Sequence, residues 1–431
     1  MTSLRQALDR TLLLMRDVLT EAATDADLLG ALTTTEVALV ADAENLASHS
    51  AQCAFVTSAM LMARSGHRVY LVAPDVPLHG AQPPLDRHKM VSGLVDIGRD
   101  LLPSVEFSPT IPPHKIDLQV LFGDVRLRLN ARRTLSINAD AWSGRLSPRQ
   151  MSLWPGESWP LGGLSAAGLV SVEAFKISMR RLKAFAANVR YFDALFADQR
   201  DLTFALASPS SPRPTALGSF DVISAGAIAN NALYVLARIP EVVGQGRVWD
   251  EDIGDASNLN RNALLLRSRV HEPKVNVLAS SFDFGGLAIS AVPENYGATS
   301  TRKLAPRVLV GVDHIPSRWE VQRARPLWLG VGATSHWACM ASFHTVGLAC
   351  AGCLHPEDDR EPAIIPTVAF VSYWAGLLLA AYFLRAAGDE VIDRKLQQVY
   401  FSPLRPEEPR WMPVPIHKDC PVQNHLAVDA A

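Results

Sequence analysis

Apolar and polar positions follow one order along the chain, and that order occurs twice. In residues 36–75 an apolar run, a loop, a helical segment closed by Gly66 and a second apolar run ending in an acidic residue predict one βαβ unit. Residues 219–252 repeat this order with a tighter loop. An Ala-rich helix follows each unit much later, predicted at 162–182 and 366–385. The sequence therefore predicts an α/β fold made of two Rossmann-like halves with mainly parallel sheets.

The repeat also sets the expected segment boundaries. We predict a first half at 1–206, a Ser- and Pro-rich linker at 207–218, a second half at 219–400 and a tail at 401–431. The first 32 residues place Arg and Asp among apolar positions at helical spacing. That pattern predicts an amphipathic helix rather than a signal peptide, and cytoplasmic residence as the consequence.

Composition narrows the choice of partners. The 41 Lys and Arg residues are balanced by 43 Asp and Glu residues, so no basic face for nucleic acid is expected. The uncharged run at 364–384 is long enough to span a membrane, but it contains Thr367 and Ser372 and is the only such run. A helix buried inside a large α/β domain is the favoured interpretation, without contact to a membrane. Five cysteines fit a reducing compartment.

The two halves differ at the turn where a phosphate would bind. Such a turn needs glycine, so that backbone amides can approach the anion at the start of the next helix. The first half has "ADAENLASHSA" there, with two acids and no glycine, which indicates a structural copy. In the second half Gly226 occupies the middle glycine position of a G-x-G-x-x-G pattern, with Ser224 and Ala229 beside it. An ordinary tight turn fits this single glycine equally well.

Charged residues after this turn favour a nucleotide site. Asp250 ends the second apolar run, where a carboxylate accepts hydrogen bonds from ribose hydroxyls. Asn258, Arg261 and Lys274 then bring an amide and two cations into a short stretch. Two cations suit a triphosphate better than a dinucleotide, because a triphosphate has more negative charge to neutralise.

One long segment resembles a known family. "DEDIGDASNLNRNALLLRSRVHEPKVNV" is similar to the D-x-D-x-x-x-x-S-N-L-N-R-Q segment and following lysine of the ThiF/MoeB/HesA family of ubiquitin-like-protein-activating enzymes, with Asn262 in place of Gln. "VLVGVDHIPSRWEVQ" resembles the third strand and turn of that family and aligns Asp313 and Arg318. "GLACAGCLHPED" resembles its C-x-x-C segment. The resemblance spans residues 219–425 and leaves the first half as a degenerate copy of the same fold.

The resemblance implies adenylation, in which a carboxylate attacks the α-phosphate of ATP and releases pyrophosphate. It implies Arg261, Lys274 and Asp313 as catalytic residues, with Mg²⁺ on Asp313. The nucleotide-binding set implied by the same alignment is Gly226, Asp250, Asp252, Asn258, Arg261, Lys274 and Asp313. In the family a further arginine comes from the partner subunit's N-terminal helix. Here the fused first half is the candidate source, through Arg5, Arg10 or Arg16, although each also suits a solvated helix face.

The implied substrate is the C-terminal carboxylate of a ubiquitin-like or sulfur-carrier protein, in a bacterial ubiquitin-like conjugation system. A conjugating enzyme would be a second partner if a thioester forms, and a homodimer is open. The loop at 354–367 lacks the cysteine expected for a thioester, which leaves Cys339, although its apolar context favours an inert buried thiol over a nucleophile. A small peptide or metabolite carboxylate is the alternative substrate. A dinucleotide-dependent oxidoreductase is the distant alternative.

Zinc is a second open question. Family members join two C-x-x-C pairs through zinc, because four ligands complete a tetrahedral shell. Cys350 and Cys353 form one pair, while the tail supplies only Cys420. His417 or His425 would complete a shell of three cysteines and one histidine. Three ordinary free thiols are the alternative.

Overall fold

A computed structural model of the protein describes residues 3–85, 88–283, 285–358 and 364–423. The first half contains α1 (Leu4–Ala7), α2 (Asp9–Arg16), α3 (Asp25–Thr33), β1 (Glu36–Val40), α4 (His49–Arg64), β2 (Arg68–Val72), α5 (Met90–Leu101), β3 (Phe107–Ser108), β4 (Ile116–Phe122), β5 (Ala131–Ala139), β6 (Ser143–Ser147), α6 (Leu161–Arg181), α7 (Val189–Leu195) and β7 (Leu202–Ala205). The second half contains β8 (Ala216–Ile223), α8 (Ala227–Leu236), β9 (Val243–Trp249), α9 (Lys274–Ser280), β10 (Leu287–Val292), β11 (Arg307–Val310), α10 (Ile315–Arg323), β12 (Trp328–Ser335), β13 (Ala338–Thr345), α11 (Ala351–Leu354), α12 (Ala369–Ala387), β14 (Gln398–Phe401) and β15 (Arg410–Met412).

The two halves have sheets of the same topology. The first sheet has the order β3-β2-β1-β4-β5-β6-β7, and the second has the order β10-β9-β8-β11-β12-β13-β14-β15. In each sheet the first five strands of this order pair in parallel, and the following strands pair antiparallel. The predicted fold class, two Rossmann-like halves with mainly parallel sheets, is therefore confirmed.

The two Ala-rich helices hold the halves together. Helices α6 and α12 pack against each other, and the Tyr373 hydroxyl on α12 donates a 2.9 Å hydrogen bond to the Leu164 carbonyl on α6. A Cβ atom at Gly168 of α6 would lie 2.8 Å from the indole ring of Trp374, so the helices approach too closely there for a larger side chain. The interface is consequently a continuous apolar core shared by both halves.

Helix α12 is the uncharged run that the sequence singled out. It passes the length and composition test for a membrane span, but 94% of its most apolar window is buried inside the protein. Its neighbours are α8, α6, β12 and β13. The prediction of a buried helix is confirmed, and the high apolar content reflects packing on all sides.

Three boundaries differ from the predicted ones. The single N-terminal helix is three short helices, because Thr24 and Asp27 form a capping box that starts α3 anew. Strand β8 begins at Ala216, inside the predicted linker. Strands β14 and β15 carry the second sheet into the predicted tail at 401–431. Hydrogen bonding to a neighbouring strand, rather than local composition, decides where β8, β14 and β15 begin and end.

Candidate functional site

The turn between β8 and α8 forms the centre of the candidate site. Ser224 has a left-handed backbone with a φ of 91°, and its hydroxyl accepts a 2.8 Å hydrogen bond from the Gly226 amide. Gly226 precedes α8, and no side chain caps this helix end. A Cβ atom at Gly226 would lie 2.9 Å from the Ser224 hydroxyl oxygen, so a larger residue would displace that hydroxyl. Uncapped amides at a helix N-terminus attract anions, which is what a phosphate site requires.

Asp250 joins this turn to the loop that follows β9. It is 7% exposed, and one carboxylate oxygen accepts a 2.7 Å hydrogen bond from the Ala225 amide. The other oxygen accepts a 2.8 Å bond from the Asp252 amide. Each oxygen keeps a second lone pair, so the position remains compatible with the predicted ribose contact.

Lys274, at the end of the loop after β9, contacts Asp252 near the start of that loop. Lys274 is the first residue of α9, its backbone amide donates to the Asp252 carbonyl at 2.9 Å, and its ammonium lies 2.6 Å from the Asp252 carboxylate. The lysine side chain is 13% exposed, whereas that of Asp252 is 64% exposed. The ammonium is therefore held near the edge of the sheet by a solvent-exposed partner that a phosphate oxygen could replace.

Arg261 is the most deeply placed cation of the site. Its Nη1 donates to the Asn260 side-chain oxygen at 3.0 Å and to the Ser257 carbonyl. Burial and, to a smaller extent, the Arg10 guanidinium lower its pKa to about 10, while the carboxylates of Asp9, Asp255 and Asp313 act in the opposite direction. Arg261 therefore interacts with one further cation and three carboxylates, and its phosphate role stays a prediction.

Asp313 lies on the turn after β11, within electrostatic reach of Arg261. Arg318 fixes this turn, because its Nε and Nη2 donate to the Val312 carbonyl at 3.0 and 2.7 Å and its side chain is buried. A Cβ atom at Gly311 would lie 3.0 Å from the Ala229 amide, so the end of β11 approaches the start of α8 closely. The structure thus brings Asp313 to the same sheet edge as Gly226, where the sequence alignment predicted it.

Asn258 has a structural task in addition to the one predicted for it. Its side-chain oxygen accepts a 2.9 Å hydrogen bond from the Asp255 amide, and the Asp255 carboxylate accepts one from Ser257. These two bonds form a capping box around residues 256–258. The hydrogen bond from Ser257 lowers the pKa of Asp255, which stays ionised. Only the amide nitrogen of Asn258 is therefore directed to other acceptors, and its phosphate role stays a prediction.

The loop that carries Arg261 is anchored by a residue that the sequence did not single out. Arg64 ends α4 in the first half and is 1% exposed. Its guanidinium donates to the carbonyls of Leu259, Ala263 (3.0 Å) and Leu265 (2.8 Å). Burial lowers its pKa to about 10, so it remains charged at neutral pH. No local signal could reveal Arg64, because its partners lie in the other half of the chain.

Two adjacent asparagines on α8 support the same loop. The Asn230 side-chain oxygen accepts a 2.7 Å hydrogen bond from the Leu264 amide. The Asn231 side-chain nitrogen donates to the carbonyls of Ala227 and Arg261, each at 2.8 Å. A pair of asparagines inside an otherwise apolar helix was the available signal, since buried amides need hydrogen-bond partners.

The N-terminal helices separate the three candidate arginines. Arg5 and Arg16 both pair with Asp25. Arg10 instead lies beside Arg261, and its buried Nε has no hydrogen-bond partner among the described residues. The adjacent Thr11 hydroxyl accepts a 2.9 Å hydrogen bond from the Asn260 side chain. Arg10 thus interacts electrostatically with Arg261, and its Nε lies 3.8 Å from the Asp9 carboxylate.

Cys339 occupies a position that does not suit a nucleophile. It lies on the central strand β13, is 1% exposed, and its thiol lies 3.6 Å from the Phe401 carbonyl. Burial raises its pKa well above the usual thiol value. A protonated thiol without solvent access does not attack an adenylate, so the geometry favours the inert alternative for Cys339.

The thiols of Cys350, Cys353 and Cys420 form a cluster in the second half. Cys350 lies 3.8 Å from Cys353 and 3.3 Å from Cys420, sulfur to sulfur, and all three are buried. Burial raises the pKa of Cys350 to about 12 and also raises that of Cys353. The backbone of His417 contacts the Cys353 sulfur, whereas the His417 ring nitrogen accepts from the Asp419 amide at 3.2 Å. His425, the other predicted ligand, lies outside the described residues.

Comparison with known proteins gives a family match in the first half. Residues 36–192 match the model of the BilD N-terminal domain, a range that includes β1 to β6 of the first sheet and excludes the Asp250-to-Lys274 loop. The uncharacterized protein y4jF of Sinorhizobium fredii (strain NBRC 101917 / NGR234) is 26% identical over 249 residues, equal to 53% of this chain. The match spans 45% of that protein, so the chain covers about half of the relative's length.

Similar folds occur among solved structures at low identity. Escherichia coli MccB is 15% identical, with a TM-score of 0.38 over 61% of this chain and 85% of that chain. The Microcin C7 biosynthetic enzyme MccB in complex with N-formylated MccA is 12% identical, with a TM-score of 0.39 over 67% of this chain and 97% of that chain. The assignment of the candidate site rests on its own residues.

Proposed function

We propose that this protein uses ATP to adenylate the carboxylate of a polypeptide. The observation that carries the proposal is the meeting, at one edge of the second sheet, of the uncapped start of α8 with Asp250, Arg261 and Lys274. A nicotinamide dinucleotide, the distant alternative, would also use the uncapped helix end, but it gives no account of Arg261 and Lys274. A triphosphate accounts for both.

The proposed step needs positioning and charge neutralisation more than covalent help. A carboxylate oxygen of the substrate forms a bond to the α-phosphorus of ATP, the bond from that phosphorus to the bridging oxygen breaks, and pyrophosphate leaves. The α8 amides, Arg261 and Lys274 hold the phosphate oxygens and stabilise the charge that passes to pyrophosphate. Asp250 orients the ribose. Arg10, whose Nε lacks a hydrogen-bond partner among the described residues, adds a third cation from the first half.

Magnesium suits Asp313 on chemical grounds. Carboxylate and phosphate oxygens are the ligands that Mg²⁺ prefers, so Asp313 would hold the ion, and the ion would reduce the negative charge of the triphosphate. Asp313 is exposed and lies on a turn fixed by Arg318, so it can reach such an ion without moving the backbone.

For the substrate, we propose the C-terminal carboxylate of a ubiquitin-like or sulfur-carrier protein, with a short peptide as second candidate. All five cysteines of the chain lie buried, which leaves no exposed thiol for a thioester. Direct use of the adenylate by an external acceptor follows, and this favours a sulfur carrier or a peptide over transfer to a conjugating enzyme.

Zinc is proposed for the three-thiol cluster. Its sulfurs all lie within 4.8 Å of one another, close enough to share one tetrahedral ion after small movements. Metal binding would deprotonate the thiols despite their raised pKa values, and the ion would tie the segment around Cys420 to α11.

The proposal is tested by ATP–pyrophosphate exchange with intact carrier proteins and, separately, with peptides of their last residues. We expect exchange to require one of these substrates and to fall by roughly a thousandfold in Asp313→Ala, as for loss of one transition-state contact. The matched control is Asp389→Ala, which removes a carboxylate 90% exposed on the surface. Exchange with peptide alone would select the second substrate.

Two results would contradict the proposal. One is exchange that persists in Asp313→Ala at the level of the Asp389→Ala control. The other is saturable ATP binding without exchange on any carrier or peptide, which would leave a regulatory nucleotide site.

A further inference from the structure

A cavity of about 500 Å³ opens in the first half, far from the candidate nucleotide site. It lies at the edge of the first sheet where β4 and β5 begin, because Asp117 and Arg133 are near the starts of these paired strands. The last turn of α6 forms its other wall. Nucleotide sites of such sheets form at the carboxyl ends of the strands, so this cavity is separate from that chemistry.

One wall holds a carboxylate between two arginines. Arg181 Nη2 lies 2.7 Å from one Asp117 oxygen, and Arg132 Nε lies 3.7 Å from the other. Asp117 is 8% exposed, so its charge is fixed inside the wall. The Arg132 side chain is 71% exposed and forms no hydrogen bond within the part of the chain that the structure describes. Its guanidinium therefore faces the cavity with its donors available.

The other wall repeats this arrangement. Asp198 lies 2.8 Å from Arg133 Nη1 and 2.8 Å from Arg180 Nη1. Arg133 also contacts Glu173, a buried carboxylate that pairs at 2.7 Å with Lys176. The negative charge of Glu173 is thus already matched behind the wall.

The charges that line the cavity do not balance. Four guanidinium groups face two carboxylates, Asp117 and Asp198, which leaves two positive charges in excess. Favourable placement of cations at a helix C-terminus explains Arg180 and Arg181, which end α6. It does not explain Arg132 and Arg133, which come from a strand and bring like charges together at a cost.

We propose that this cavity binds a small molecule carrying two negative charges, such as a phosphate ester or a dicarboxylate. Planar guanidinium groups bind phosphate and carboxylate oxygens in pairs, and the excess charge of the cavity matches a dianion. The volume lies within the range of about 300–1,000 Å³ typical of small-molecule sites. The ligand would sit between the two arginine–aspartate walls and pull β5 and α6 together.

The test is calorimetric titration with inorganic phosphate, glycerol 3-phosphate and succinate at matched ionic strength. We expect saturable binding of at least one of these anions, weakened at least tenfold in Arg132→Gln because a charge-assisted contact is lost. Arg132 is largely exposed, so this variant keeps the fold. The control is Arg190→Gln, which removes an exposed arginine of α7 and should leave affinity unchanged. Phosphate and succinate distinguish the two kinds of anion.

Two outcomes would overturn the proposal. Equal losses in Arg132→Gln and Arg190→Gln, or no saturable binding by any of the three anions, would leave a purely structural arginine–aspartate network. Binding that disappears in Lys274→Ala but persists in Arg132→Gln would place the anion at the nucleotide site instead.

Discussion

The two halves share a strand order but differ at the start of one helix, α4 after β1 in the first half and α8 after β8 in the second. In the second half the N-terminus of α8 has no side-chain cap. In the first half the Ser48 hydroxyl caps α4, and the Ser50 amide donates to the Glu157 carbonyl at 3.2 Å. The chain itself therefore satisfies the amides that would otherwise bind a phosphate.

The first half also fills the space in front of that helix. Asn45 bonds to Asp42 and Asp124, and its side-chain oxygen accepts a 2.9 Å hydrogen bond from the Trp154 amide. Because Gly123 has no side chain, the Asn45 oxygen can lie in the space that a Cβ atom at Gly123 would occupy. The same topology thus leaves the helix start uncapped in one half and capped in the other, and the difference comes from the loops rather than the sheet.

Each half nevertheless supports the other through one buried arginine. Arg64 at the end of α4 binds three carbonyls of the second-half loop, and Arg238 after α8 donates to the Pro83 carbonyl of the first half at 2.9 Å. The arrangement is reciprocal, as in an isologous dimer. The two arginines differ in their relation to the candidate site. Only the loop held by Arg64 carries a residue of that site, Arg261.

The largest expected effect separates these two arginines. Arg64→Met should lower the free energy of unfolding by about 3 kcal/mol, since it leaves buried carbonyls without donors. It should also raise the KM for ATP in pyrophosphate exchange about tenfold, because the Arg261 loop loses its anchors. Chemical denaturation and exchange kinetics measure the two quantities.

Arg238→Met is the matched control for Arg64→Met. It should destabilise the fold by a similar amount, about 3 kcal/mol, because it also leaves buried acceptors unpaired. The KM for ATP of the remaining folded protein should not change. Equal rises of this KM in both variants would mean that the halves are coupled only through global stability.

A second comparison concerns the acidic residue after the second strand of each half. At the candidate site Asp250 accepts a hydrogen bond from the Ala225 amide. Asp75 instead accepts hydrogen bonds from the Val91 and Ser92 amides at the start of α5. Asp250→Asn should weaken ATP affinity up to about a hundredfold, because one charge-assisted acceptor is lost. Asp75→Asn should leave it unchanged, since asparagine caps a helix equally well. Equilibrium ATP binding decides between them, and similar losses would refute the difference between the halves.

The smallest effect is a pH dependence that belongs to the first half. Burial lowers the pKa of His67 to about 4, and its ring lies 3.1 Å from the Leu32 carbonyl. The usual histidine pKa is 6.5. Between pH 6.5 and pH 4 the unfolded chain binds this proton and the folded protein does not, so the free energy of unfolding falls as the pH falls. From pH 6.5 to 5 the loss should be about 2 kcal/mol. His67→Leu should remove that part of the dependence in denaturation curves, and an unchanged slope would contradict this origin.

Much of the fold was accessible from the sequence because its signals are local. Both βαβ units were predicted from apolar runs, and α6 and α12 begin within three residues of their predicted starts. The strand ends were less accessible, as β8 and β15 show, because pairing with a neighbour decides them. Of the candidate site, Gly226, Asp250, Arg261, Lys274 and Asp313 lie along one edge of the second sheet, as the family resemblance implied, while their chemical roles stay predictions.

The sequence by itself determined that the chain is built twice, that its nucleotide-like segment lies in the second half and that α12 is apolar throughout. These properties depend on periodicity and on residues close together in the chain. Only the tertiary structure decided that Arg10 and Arg64 from the first half reach the Arg261 loop, that Trp154 and Glu157 form hydrogen bonds at or just before the start of α4, and that four arginines surround one cavity. Such contacts join residues far apart along the chain, and their distances are fixed by how helices pack on sheets rather than by any local pattern.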